Sequence, residues 1–251
     1  MKIGLLIPST SNGREWTTIK ESYLFNLTFK TFLLTFDPEH EYVFYIGIDK
    51  GDKIFDNIEQ QSVLINFKKV YKNLDVKFIY MNVNKGHLTK MWNILFKIAY
   101  DDQCDYFYQC GDDIKFCTKG WVNDCITTLS SHHNIGITGP INNNYQILTQ
   151  VFISRVHMKI FGFLFPEEIL NWGCDDWYNW VYKPDHFFPL TKHYCSNEGG
   201  KPRYNINNNE KFMDNYSYNV KKIRKESQQL AESNKILINK YKLQLQLQLL
   251  L

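Results

Sequence analysis

At 251 residues the chain suffices for one large α/β domain or two small ones, and it can bury a core without disulfide staples. Aromatics at 16% with modest Gly and Pro exclude a disordered or fibrous protein, and a net charge of only +3 gives no support to a nucleic-acid binder. Six cysteines without a CxxC pair, no signal-type apolar run and no apolar stretch near about eighteen residues point to a reduced, cytoplasmic chain with no membrane span.

Lys2–Pro8 (KIGLLIP) is a continuous apolar run, the pattern of a strand covered on both faces, and it ends in the polar turn Pro8, Ser9, Thr10, Ser11, Asn12, Gly13. Helical spacing follows from Thr17 to Leu34, until Asp37-Pro38 stops it. Tyr42–Ile48 reads as a second buried strand with Asp49 just past its end. Asp49 suits either a nucleotide contact or a turn with Gly51. Ile54–Lys72 has helical character, with Ile58, Leu64, Ile65 and Phe67 as expected core positions, and Val76–Val83 is a third strand. Lys85, Gly86 and His87 then precede a helix over Leu88–Tyr100 whose inner face carries Met91, Trp92, Leu95 and Ile98. The alternation of strand and helix predicts a mostly parallel sheet covered on both sides.

Asp105–Phe116 (DYFYQCGDDIKF) reads as the fourth strand and carries Asp112 and Asp113 at its end. The pair is either a solvated turn or an oxygen site for a hard divalent cation, Mg²⁺ or Mn²⁺, which binds one or two carboxylates plus substrate phosphates. Beyond it, Lys119–Ser131 is helical, Ile135–Gly139 and Gln150–Ser154 are short strands, and Arg155–Phe163 is helical. Phe165–Trp180 holds a second acid pair, Asp175-Asp176, among Trp172, Trp177 and Trp180. These acids suit the first turn of a helix as well as a catalytic site, and the tryptophans suit a core as well as a platform for a sugar face. His186 and His193 fall in irregular sequence. From about Glu210 the chain is polar and helical, the lysines and arginine at 221–225 read as a solvated face, and KLQLQLQLLL shows strand alternation with no core face.

A first strand ending in Pro-Ser-Thr, an Asp after the second strand and two acid pairs about sixty residues apart resemble the GT-A glycosyltransferases. YQCGDDI resembles that family's Asp-x-Asp-type motif, with Gly111 where a first acid is often found, and Trp172-Gly173-Cys174-Asp175-Asp176 resembles its later Gly-x-Glu-Asp element. The resemblance implies an α/β GT-A (Rossmann-like) fold over residues 1–205, with a donor half of about 1–118 and an acceptor half of about 119–205. A polar helical extension then occupies 206–251. It implies a metal-dependent, inverting transfer of sugar from a nucleotide donor, a UDP-sugar above all, to an acceptor hydroxyl on a glycan, protein or small molecule. The roles it implies are Asp113 and His193 as ligands of Mn²⁺ or Mg²⁺, and Pro8, Ser9, Thr10, Asp49, Lys85, Gly86 and Asp112 for the donor. Trp172, Asp175 and Trp177 would serve the acceptor, with Asp176 as general base. The alternatives are a sugar-nucleotide pyrophosphorylase, for which Pro8–Arg14 is poor in glycine and basic residues, and a catalytically degenerate sugar-binding domain.

Overall fold

The computed structural model describes residues 1–84, 86–144, 146–199 and 216–249. Lys85 therefore lies outside the described residues. The strands are β1 (Lys2–Ser9), β2 (Glu41–Asp49), β3 (Leu74–Met81), β4 (Tyr106–Gln109), β5 (Ile114–Phe116), β6 (Ile137–Ile141), β7 (Val151–Ser154) and β8 (Phe187–Asn197). They lie in the order β3-β2-β1-β4-β7-β6-β8-β5. β3, β2, β1 and β4 run parallel, β7 is antiparallel to both β4 and β6, and β8 runs parallel to β6. The α-helices are α1 (Lys30–Thr35), α2 (Ile58–Ile65), α3 (Leu88–Asp101), α4 (Trp121–Ser131), α5 (Arg155–Phe161), α6 (Cys174–Tyr182) and α7 (Tyr216–Leu249). This is the architecture expected of a GT-A fold: a mostly parallel sheet flanked by helices, with a C-terminal helical extension.

The unbroken apolar run of β1 follows from burial on both faces. Ile3, Leu5 and Ile7 join a core with Phe29, Phe32, Phe44 and Trp121, whereas Leu6 joins another with Trp92, Phe96, Phe107 and Trp177. Trp92 of α3 donates its indole N–H to the Leu6 carbonyl at 3.2 Å and so ties helix to strand.

Several expectations from the sequence are corrected. Asp105–Phe116 is two strands, because β4 ends at Gln109 and the chain turns through Gly111–Asp113 before β5 pairs antiparallel with β8. The helix expected over Thr17–Leu34 is broken into a 3₁₀ turn at Ile19–Glu21, a π-helical stretch at Leu24–Phe29, and α1. Here Thr28 and Thr31 turn their hydroxyls to the backbone N–H groups of Ile114 and Phe116 at 3.1 and 2.9 Å, satisfying donors of β5. In the second helical segment Ile58 is 80% exposed, and Ile65 is also exposed. Asp52 accepts from the Ile54 and Phe55 N–H groups and folds that segment into a loop, so that the helix begins only at the Asn57 cap. Finally, Phe187–Asn197 is the longest strand among the described residues rather than irregular chain.

The C-terminal tail is also helical through Leu249, not strand-like. Leucine and glutamine are good helix formers, and α7 turns an inner face of Ser227, Ala231, Asn234, Ile238, Tyr241 and Leu245 at spacings of three and four. Ala231 and Ile238 are buried in the second core, and Tyr241 and Leu245 pack against it. No helix among the described residues is long and apolar enough to cross a membrane.

Candidate functional site

The cavity of interest, 510 Å³, lies where β1, β2 and β4 end, the crevice that open α/β sheets offer outside the carboxyl ends of their strands. Pro8, Ser9 and Thr10 from β1 and its turn, Asp49 from β2, and Gly86 from the turn before α3 line it. Gly86 holds φ +87°, a conformation open to glycine at little cost. Lining side chains contribute five aspartates, at 49, 112, 113, 175 and 176, against Arg224 as the sole cation among the described lining residues.

Asp112 is completely buried and accepts a hydrogen bond from the Ser9 hydroxyl at 2.6 Å, which joins the β4–β5 turn to the end of β1. Asp113 stands between two glycines. A Cβ on Gly111 would lie 2.5 Å from its Oδ1, and one on Gly199 only 1.7 Å from its Oδ2. Gly111, where the resemblance expects an acid, is thus the space that the Asp113 carboxylate occupies. Asp112 and Asp113 present hard oxygen donors, which fit Mg²⁺ or Mn²⁺ completed by phosphate oxygens and water. Among the described residues no group of three His, Cys, Asp or Glu is assembled for a metal.

A residue that the sequence did not single out organises the turn after β1. Asp52 accepts from the Ser11 backbone N–H (2.7 Å), the Ser11 hydroxyl (2.7 Å) and the Thr10 hydroxyl (3.0 Å). Burial works to raise its pKa, but these bonds and those from Phe55 and Ile54 outweigh it and hold the carboxyl below its usual range. The turn after β1 is thereby locked to the loop after β2.

The second acid pair begins α6. Gly173 caps it at φ +88°. Asp175 lies 3.2 Å from the Tyr178 hydroxyl, which is itself 3.4 Å from Gln109 Oε1 at the end of β4. Burial pushes Asp175 up to about 7, against the opposing hydrogen bonds from Cys174 and Tyr178. Asp176 is also raised by burial, and the charges of Arg224 and Lys183 counter that rise. The Arg224 Nε lies 3.6 Å from Asp176 Oδ1.

Trp172 lines the cavity with Asp175 and Asp176, but Trp177 does not. Trp177 is fully buried and donates its indole N–H to Asn234 of α7 at 3.1 Å, so it is a core anchor and not an acceptor platform. Helical periodicity turns it away from the acids. His193 is likewise absent from the cavity lining. Its ring nitrogens meet Thr118 Oγ1 at 3.1 Å and Asp124 Oδ2 at 2.8 Å, because β8 turns it toward α4 rather than toward Asp113. It is not in position as a metal ligand. His186 and Trp180 are also absent from the lining. Residues unmarked in the sequence complete the wall: Gln109, Asn144, Ile147 and Gln150, and Val220, Ile223 and Arg224 of α7. The asparagine-rich run before Gln150 was the signal available for Asn144, Ile147 and Gln150. The α7 residues gave none, since their helix looks like a solvated face until it is packed.

No protein-family model and no curated protein matches the chain. Among solved structures it is similar to S. aureus TarS, with TM-score 0.55 and 14% identity over 77% of this chain and 36% of that one. S. aureus TarS 1–349 in complex with UDP gives TM-score 0.54 and 14% identity over 78% of this chain. The complex with UDP-GlcNAc gives TM-score 0.54 and 14% identity over 81%. The chain spans 60% of TarS 1–349 and about a third of the longer chain. At this identity the likeness is one of fold.

Proposed function

We propose that the chain is a metal-dependent glycosyltransferase that moves a sugar from a UDP-sugar to an acceptor hydroxyl with inversion. The observation that carries the reading is that two acid pairs from separate elements, Asp112-Asp113 and Asp175-Asp176, line one cavity at the carboxyl ends of a GT-A sheet. Support comes from the similar fold of proteins solved with UDP and UDP-GlcNAc.

A diphosphate entering a cavity with five aspartates needs its charge offset. Asp113, with Asp112 beside it, would hold Mn²⁺ or Mg²⁺. The cation supplies neutralisation of the charge that develops on the leaving diphosphate. Asp49 accepts hydrogen bonds from the base or ribose, the Pro8–Thr10 turn held by Asp52 borders the nucleotide, and Gly86 lets the donor approach the backbone. Lys85 belongs to the same proposed donor set. On the acceptor side Trp172 offers an apolar ring to a sugar face, and Asp175 holds acceptor hydroxyls. Asp176 takes the proton of the attacking hydroxyl as the new C–O bond forms at the anomeric carbon. The old bond to phosphate breaks with its electron pair leaving on UDP.

The test is Asp176→Asn assayed for transfer from UDP-sugars. The expected result is a loss in kcat of at least about 10²-fold with UDP affinity near that of the wild type. Unchanged kcat, or a product that keeps the donor's anomeric configuration, would overturn the assignment.

A further inference from the structure

Resting on that reading for its catalytic consequence, we propose that the C-terminal helix is part of the active site. In this proposal Arg224 of α7 is a positioning residue that holds the Asp176 carboxylate in place as an anion. The position of the helix is fixed independently of the ion pair. A Cβ on Gly173 would meet Ser227 Oγ at 2.3 Å and Ile223 Cγ2 at 2.8 Å, so α7 lies directly over the N-terminal cap of α6. Trp177 and Asn234 join the same two helices one turn and more further on, and Ser227, Ala231 and Ile238 are buried between α7 and the domain. Arg224 follows Ile223 at the edge of this inner face and thereby reaches the acid next to the cap.

Among the described residues, the charged groups that face Asp176 are Arg224 from α7, Lys183 just past the end of α6, and its neighbour Asp175. Of the two cations, Arg224 is the one that lines the cavity and forms the ion pair. Its side chain is 54% exposed, so the pair adds little to folding. What it does add is specific to the acid. Burial favours the protonated carboxyl, which is useless as a base, and a cation within reach favours the ionised one. A helix outside the sheet thus determines whether the base on α6 is ready.

The experiment compares the full chain with Arg224→Ala and Arg224→Lys. The Asp176 carboxyl is followed by ¹³C NMR across pH, together with the pH profile of kcat and the affinity for UDP. In Arg224→Ala the Asp176 titration and the acid limb of kcat move together to higher pH. There kcat falls roughly 10- to 100-fold, as misplacement of a catalytic group produces, and UDP affinity is unchanged. Arg224→Lys restores both toward the wild type. An Asp176 titration that does not move in Arg224→Ala overturns the proposal, whatever the activity. A titration that moves in a chain whose wild type turns over no UDP-sugar supports the coupling and sinks the transferase reading instead.

Discussion

Asp175 and Gly111 show how single positions trade stability against a site. Asp175 is held at about 7 by burial, above its ordinary 3.8. Between those values the folded chain keeps a proton that the unfolded chain has released, so stability falls as pH rises from about 4 through 7. Asp175→Asn removes that cost. Its Tm should exceed the wild-type value by a few degrees at pH 8, where about 1 kcal/mol moves Tm by roughly 2–4 °C. The gain should shrink toward pH 5. A gain that is the same at both pH values, or a loss at pH 8, would mean that the carboxylate is stabilised where it stands. At Gly111 the added methyl of Gly111→Ala would lie 2.5 Å from Asp113 Oδ1 and must turn that carboxylate away. Calorimetry should then find the Mn²⁺-dependent binding of UDP lost to the same degree as in Asp113→Asn. Affinity equal to the wild type in both variants would exclude Asp113 from the donor site.

Among the elements, α7 is the helix that its sequence predicts, and only its last turns depart from that reading. Its alternating Leu and Gln from residue 243 on read as a tail with no core face, yet Leu245 packs against the second core, in which Ile238 is buried. Ile238→Ala should therefore cost about 2–5 kcal/mol in a denaturant melt, the range for emptying a buried aliphatic site. Deleting residues 244–251 removes the partial contact of Leu245 and should lower Tm by no more than about 2 °C, under 1 kcal/mol at this size. If the deletion proves as costly as Ile238→Ala, the last turns of the helix carry more of the packing than Leu245 alone.

For the whole molecule, the proposed function predicts that ligand binding is conditional on a cation. The described cavity lining sets one arginine against five aspartates. UDP should raise Tm in the presence of Mn²⁺ and fail to do so in EDTA. At about 100 times Kd the stabilisation is near 2.7 kcal/mol, or roughly 5–10 °C. Equal shifts with and without metal would remove the cation from the proposal.

The strands β1 to β4, the covered sheet and a crevice at strand ends were legible in the sequence, because a parallel strand buried on both faces must be apolar throughout. The acids at 49, 112 and 113 stood out for the complementary reason, since carboxylates at the ends of such runs have no place in a core, and those at 175 and 176 stood out among glycine and tryptophans. His193, Trp177 and Arg224 could not be placed in this way. Whether a histidine faces Asp113 or Asp124 depends on the direction of β8, and its pairing with β5 spans some eighty residues of chain. Whether a tryptophan lines a cavity or anchors a helix depends on which face of α6 is covered, and the covering element is α7. Local pattern reports how much of a residue is buried and at what period. The partner that buries it comes from distant chain, and here that partner decided which residues reach the site.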